Sequence, residues 1–365
     1  MQDGLRAIIE SIAPADSRAI ELALARQQSL AKPPHSLGKL EDISVKLAGV
    51  TGRMFNAVER RRVLIFAADN GIAREGVASA PQSVTLSQTI NFTRGLTGVA
   101  VLAKHFRAEL DVMDVGIDAD FSQPGVRDCK IARGTRNFAM EPAMTPEQCA
   151  RAMTVGIDAA LRARTDGMQV IGVGEMGIGN TTTSSAVLST LLKLPAAETV
   201  SRGAGINDAA YARKIRLIDE AIVRWSPDAG DPADVMAKVG GFDIAAMCGA
   251  FLGAAACKLP VVIDGFISAV AALCAWRLNP LCAAYMIPSH ASREKGYMLA
   301  MREMGLEPML NLDMRLGEGS GCPIAFEIVA AAESVISNMA TFEEAAIDDG
   351  YLSEIRLNKA YQGEA

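Results

Sequence analysis

The sequence predicts an α/β fold, an open, mostly parallel sheet flanked by helices in three layers. Three observations predict it. Short, mostly apolar runs occupy residues 63–66, 110–115, 170–173 and 261–263. Each is followed by a stretch able to form a helix, among them 181–192 and 266–276. Three of the four runs finish on an acid within or beside a glycine turn, at Asp69-Asn70-Gly71, Gly174-Glu175 and Asp264-Gly265, while 110–115 contains Asp114 and ends at Gly116. Buried strands alternating with helices indicate βαβ units, whose strands read as continuous apolar runs because both faces of the sheet are covered. In such sheets ligands bind outside the carboxyl ends of the strands, so acids gathered there are candidates for one shared site. Asp and Gly also favour these turns for purely local reasons.

Ahead of the first strand the chain reads as helical. Leu5, Ile8, Ile9 and Ile12 make one apolar stripe and Leu37, Leu40, Ile43 and Leu47 another, both at helical spacing. Lys32-Pro33-Pro34 separates them, because proline cannot continue a helix. The pattern turns strand-like after Arg60-Arg61-Arg62, and 324–342 is helical again. The expected organisation is a smaller helical domain from residues 1–60 with 323–365, and a Rossmann-like α/β domain over 61–322. A length of 365 residues fits two units at about 150 residues per domain.

Composition limits the function classes. Half of the residues are hydrophobic and 21% are charged, which supplies a sizeable core and excludes disorder. With 36 basic and 42 acidic residues the net charge is −6, so nothing draws the chain broadly to nucleic acid or an anionic membrane. Any anionic ligand must be held locally, by a loop or a helix terminus. The first fifteen residues carry acids inside the apolar stretch and lack a signal-peptide core. The most apolar region, 244–276, is broken by Lys258, Pro260 and Asp264 before it reaches the ~20 residues of a spanning helix. A soluble, cytoplasmic protein is expected. Seven cysteines without a CxxC pair, and histidines only at 35, 105 and 290, argue against structural zinc and a disulfide framework.

Two glycine-rich stretches carry the chemistry. Gly174-Glu175-Met176-Gly177-Ile178-Gly179-Asn180-Thr181-Thr182-Thr183 follows a strand and opens a helix. Its glycines allow close approach of the backbone, and the helix N–H groups point at an anion. It has neither the Lys of a phosphate-binding P-loop nor the glycine spacing of a dinucleotide fingerprint, and it also reads as a plain strand-to-helix turn. In Arg315-Leu316-Gly317-Glu318-Gly319-Ser320-Gly321 a carboxylate stands between glycines, either as a general base or as a solvated loop acid. Arg202-Gly203-Ala204-Gly205-Ile206-Asn207-Asp208 leads toward Arg213 and Lys214, which are cations for a phosphate or ordinary surface charges. Pro288-Ser289-His290-Ala291-Ser292 offers hydroxyls and a histidine without a nucleophile elbow around them.

These motifs, with Lys32-Pro33-Pro34-His35-Ser36-Leu37-Gly38-Lys39-Leu40-Glu41, Val239-Gly240-Gly241-Phe242-Asp243 and Ile263-Asp264-Gly265-Phe266, give the chain its resemblance to a known family. From about residue 5 to residue 345 it resembles the nicotinate-nucleotide–dimethylbenzimidazole phosphoribosyltransferases, which activate the lower base of cobalamin. The resemblance implies attack of a base on C1′ of nicotinate mononucleotide with inversion. It implies that Glu318 takes the proton of the acceptor, and that Glu175 contacts the ribose. Gly177, Gly179, Asn180, Thr181 and Lys214 match positions near the phosphate, and Gly203, Asp264, Ser292, Gly317 and Gly319 complete the nucleotide site. Ala80, Gln88, Met176 and Leu316 are placed around the base. No metal and no cofactor are implied, since the cationic glycosidic nitrogen already makes nicotinate a good leaving group.

The chain departs from the family pattern around the base pocket. Asn70 stands where the family usually has His, Ala80 where it has Tyr or Ser, and Ser83 where Glu is common. The loss of a hydroxyl at position 80 is expected to relax the choice of base toward other benzimidazoles, purines or phenolic compounds. Small molecules are thus the expected partners, together with a second copy in a homodimer, or a paralogue in a mixed dimer if this chain is the non-catalytic half. A nucleotide-binding dehydrogenase lacks support, because the dinucleotide fingerprint is absent.

Overall fold

Residues 3–203, 205–353 and 355 are described by a computed structural model. Six strands form one all-parallel sheet among these residues: β1 (Arg61–Ala68), β2 (Glu109–Gly116), β3 (Val126–Asp128), β4 (Val170–Met176), β5 (Val261–Ile263) and β6 (Met286–Pro288). Their order is β3-β2-β1-β4-β5-β6. The four apolar runs of the sequence are β1, β2, β4 and β5. The two strands without a sequence signal lie at the two edges, and their three residues include charges in β3 and a proline in β6, unlike the equally short apolar run of β5. Pro288 ends β6, at an edge, where a missing backbone donor is tolerated.

Side chains alternate across each strand and build two cores. Leu64 and Phe66 of β1 join the cluster under the helices Pro146–Thr165 and Phe242–Ala256. Val63 and Ile65 join the opposite cluster with Phe326 and Val329 of the helix Gly321–Asn338. This is the expected three-layer architecture. The apolar stretch around 244–276 is core: residues 242–255 are all buried in one helix and 266–275 in the next, with β5 between them. Among the described residues no helix is long and apolar enough to cross a membrane.

The terminal segments meet. Arg26 donates to the carbonyls of Ile336 (3.2 Å) and Met339 (2.9 Å), and Leu30 bridges Thr341 in antiparallel fashion. The helix Gly321–Asn338 packs both on the helix Lys39–Thr51 and on β1, β4 and β5. The first helix, Asp3–Glu10, instead buries Leu5 and Ile9 in the larger core against Pro146–Thr165 and Phe242–Ala256. Residues 354 and 356–365, the end of the C-terminal segment, lie outside the described residues, as does Ala204.

Parallel register lines up the strand ends. Phe66 is level with Glu175, Val173 with Ile263, and Ile263 with Pro288. The residues that follow β1, β4, β5 and β6 therefore share one edge, and the connections diverge between β1 and β4, the switch point where open sheets bind ligands. Strand order and glycine loop come apart here: the order is that of a dinucleotide-binding sheet, while the loop follows β4 rather than β1.

Two helices approach through glycines. A Cβ at Gly249 would lie 1.9 Å from the Met153 carbonyl oxygen, and one at Gly156 1.8 Å from that of Ala246. Gly249→Val should therefore force the helices apart and cost about 3 kcal/mol. Gly4→Ala, at a helical position with open space around it, should be neutral or stabilising by up to about 1 kcal/mol. Thermal unfolding of both variants checks the pair, and equal destabilisation would contradict it.

Candidate active site

At the switch point lies a cavity of about 350 Å³. Most of the residues singled out in the sequence line it. Glu175, Gly177, Asn180, Thr181, Gly203, Asp264, Ser292 and Gly317 do so together with Glu318, and Ala80, Gln88, Met176 and Leu316 line the same cavity. Gly179, Gly319 and Lys214 stand behind its wall. Asp69 and Asp114, at the ends of β1 and β2, are outside it: Asp69 accepts from the Asp118 amide (2.8 Å) and Asp114 from the Gly116 and Ile117 amides (3.0 and 2.8 Å). Asp114 closes its own turn and Asp69 ties the loop after β2 to the end of β1, so only Glu175 and Asp264 of the strand-end acids meet in the cavity.

The loop after β4 is shaped by its contacts. A Cβ at Gly177 would lie 2.4 Å from the Ala68 carbonyl oxygen, so only glycine fits there. The Ile178 amide donates to Thr85 Oγ1 (3.1 Å), which fixes the loop against the helix Val84–Thr93. Gly179 then takes a left-handed φ of 95° and caps the helix Asn180–Leu192, with the Asn180 amide turned back onto the Gly177 carbonyl (3.1 Å) and the Thr182 and Thr183 amides onto that of Gly179 (2.9 and 3.3 Å). Thr181 Oγ1 accepts from Lys214 Nζ at 2.8 Å. Lys214 is buried, which lowers its pKa to about 8 against the pull of Glu294.

Glu318 sits on a strained turn. Gly317, Glu318 and Gly319 have φ of 81°, 63° and 79°, so a non-glycine residue is held left-handed between two glycines. Asp264 holds this turn, accepting from the Gly319 amide at 3.0 Å and the Gly321 amide at 2.7 Å. Glu175 holds it from the other side, accepting from the Glu318 amide (3.3 Å) and from Asn180 Nδ2. Glu318 itself is only 6% exposed, so it is no solvated loop acid. Its Oε1 accepts from Gln88 Nε2 at 2.7 Å, and its Oε2 has no hydrogen-bond partner.

Few cations offset these acids. Burial, reinforced by Asp243 next to it, pushes Glu175 up to about 8. Burial raises Asp264 to about 7, against the amides that bond it, and Asp243 to about 6. Asp243 belongs to the Val239–Asp243 motif, but its place beside Glu175 has no signal in the spacing. Among the described residues no cluster of three or more His, Cys, Asp or Glu is arranged to hold a metal ion.

The departures from the family pattern separate in space. Ala80 lines the cavity, but Asn70 and Ser83 do not. Asn70 is fully buried beneath the glycine loop, its Cβ 3.4 Å from the Cβ position of Gly179. It supports the loop rather than the base, which corrects the expectation drawn from the sequence. The reading from sequence also passed over the roles of Val84, Phe266, His290, Glu294 and Arg315, which line the cavity. Phe266, His290 and Arg315 fell within motifs already noted; Val84 and Glu294 carry no local signal.

The raised acids make stability depend on pH. An acid whose folded pKa lies above its unfolded value contributes stability at low pH that is lost as pH rises through the folded value. For Glu175 that window runs from its ordinary 4.5 to about 8. Glu175→Gln should therefore gain on the parent in thermal midpoint as pH goes from 5 to 8. A difference that is flat or opposite in sign would show the carboxyl to be ionised throughout.

Comparison with known proteins agrees with this geometry. The phosphoribosyltransferase family model DBI_PRT matches residues 12–347. A nicotinate-nucleotide–dimethylbenzimidazole phosphoribosyltransferase of Clostridium perfringens is 51% identical, covering 98% of this chain and 99% of its own. Proteins of the same name from Acetivibrio thermocellus and Chloroflexus aurantiacus are 47% and 44% identical, over 93% and 95% of this chain and 97% and 99% of theirs. The crystal structure of CobT from Thermus thermophilus superposes with a TM-score of 0.88 at 37% identity, covering 91% of this chain and all of that one. Cavity, glycine loop and full-length similarity together make the chain an enzyme of the nicotinate-nucleotide–dimethylbenzimidazole phosphoribosyltransferase family.

Proposed function

We propose that the enzyme moves the 5-phosphoribosyl group of nicotinate mononucleotide to an aromatic lower-ligand base, giving an α-ribonucleotide and nicotinate for cobalamin or a related cobamide. The observation that carries this reading is Glu318, a buried carboxylate with an unused acceptor oxygen. It lines a cavity with an anion-binding loop in one wall and apolar side chains in another. The phosphate belongs on the Gly177–Thr181 side. Lys214 donates to the Thr181 oxygen, which leaves the Thr181 hydroxyl proton free for a phosphate oxygen.

In the transfer a ring nitrogen of the base forms a bond to C1′ from the face opposite nicotinate. The C1′–N bond breaks, and its electron pair cancels the positive charge on the nicotinate nitrogen. The proton lost by the base goes to Glu318, held in place by Gln88. Positive charge on the nucleotide draws Glu175 and Asp264, held at about 8 and 7 by burial, toward their ionised forms, and these carboxylates stabilise the charge that develops on the ribose.

The base end is apolar at Ala80, Val84, Met176 and Leu316. A pocket that lacks a hydrogen-bond partner discriminates weakly, which supports an acceptor range wider than dimethylbenzimidazole. Leu96, Val101 and Leu316 are 60%, 57% and 58% exposed, and Leu316 packs against Gly98 between the first two. This apolar rim is read as the surface that a second copy covers, placing the active site beside a homodimer interface.

Nicotinate release by the purified chain, with dimethylbenzimidazole, adenine or phenol, tests the transfer. Release should require added base and fall about 10²–10⁴-fold in Glu318→Gln, with rates for the three bases within roughly tenfold of each other. Undiminished release by the variant would remove Glu318 from the chemistry, and a large preference for dimethylbenzimidazole would refute the wider range. Sedimentation should give a dimer that Val101→Glu dissociates; a dimer indifferent to the substitution places the interface elsewhere.

A further inference from the structure

His290 takes no part in the steps above, yet it lines the cavity and is 3% exposed. It follows β6, with backbone bonds from Ser289 to Ile263 and from Leu310 to Ser289 fixing the turn on both sides (2.9 and 3.1 Å). Burial lowers its pKa, so the ring is neutral at physiological pH. One ring nitrogen then carries the proton and the other a lone pair.

The surrounding bonds decide which. Ser289 Oγ donates to the Asp264 carbonyl at 3.2 Å, and a carbonyl can only accept. The single Ser289 proton is thereby committed. With that proton on the carbonyl, the 2.9 Å contact between Ser289 Oγ and His290 Nδ1 pairs the hydroxyl oxygen with Nδ1–H. That leaves Nε2 with a lone pair and no partner among the described residues. Nε2 lies on the side of Gly265 and Ser292, both of which line the cavity.

A lone pair repels a phosphate or a carboxylate and attracts a hydroxyl or an N–H. Of the base-end residues, Val84 and Gln88 stand on the helix Val84–Thr93, which packs on β1 to β4, whereas His290 enters from the opposite edge beyond β6. The remaining donors are the hydroxyls of the ribose. We propose that His290 binds a ribose hydroxyl of the nucleotide through Nε2, held as an acceptor by Ser289. This assignment rests on the nucleotide reading above and adds to it a residue that selects ribose over deoxyribose.

Two measurements test it. Nitrogen-15 NMR of labelled histidine in the full chain reads the tautomer without altering the site, with three imidazoles to assign and His35→Gln and His105→Gln to identify the others. The expected state is Nδ1 protonated and Nε2 bare; protonated Nε2 overturns the proposal. The second measurement compares nicotinate mononucleotide with its 2′-deoxy and 3′-deoxy analogues. The parent should lose about tenfold in kcat/KM on one analogue, the worth of one hydrogen bond. His290→Phe should lose the same factor on the ribonucleotide and no longer tell the two apart. If that variant fails to fold, Ser289→Ala, which frees the ring to change tautomer, should also lower the discrimination. Discrimination retained by the variants, or absent in the parent, overturns the proposal. If no base supports nicotinate release, the transfer reading fails, while equilibrium binding of the three nucleotides still decides His290.

Discussion

The Asp264 carboxylate, accepting from the amides of Gly319 and Gly321, joins the two halves of the active site. One end of this contact is the carboxyl end of β5. The other is a turn of three left-handed residues and the first turn of the helix Gly321–Asn338, which also covers the sheet. The bond fixes the reach of Glu318 into the cavity and satisfies orphan amides of the helix at once. A left-handed non-glycine residue persists only where its surroundings over-determine it. Asp264 and Glu175, one on each side, supply that determination.

The arrangement has an electrostatic cost that the fold keeps. Glu175, Asp243 and Asp264 are drawn together out of water, and each is held more readily protonated than a free carboxyl. Hydrophobic residues there would make a more stable protein. In return Glu175 and Asp264 place in the cavity wall carboxyls that a positive charge would draw toward ionisation. The core beneath is built for rigidity in the same sense, with helices brought to backbone contact through Gly156 and Gly249.

Legibility in the sequence followed locality. The glycine loop after β4 was readable because Gly177, Gly179 and the helix start occupy adjacent positions. Glu318 was readable because a carboxylate flanked by glycines on both sides stands out within three consecutive residues. Four strands were readable because a strand buried on both faces is a continuous apolar run. The edge strands β3 and β6 were not: Val126-Arg127-Asp128 and Met286-Ile287-Pro288 carry charges or a proline, where the equally short β5 is Val261-Val262-Ile263. Asn70 was misread as a base-pocket residue because its neighbours in sequence, up to Ala80, do lead there, while its side chain turns under the glycine loop.

The sequence by itself determined the α/β class, the glycine loop that opens a helix and the acid between glycines, since each is written within ten or so consecutive residues. The tertiary structure alone decided that Asp69 and Asp114 hold loops while Glu175 and Asp264 serve the site. It also brought Lys214 to Thr181. Those are distances between residues far apart in the chain, and they follow from the parallel register that brings the ends of β1, β4, β5 and β6 to one edge. Register is set by packing across the whole sheet, which no local stretch of sequence contains.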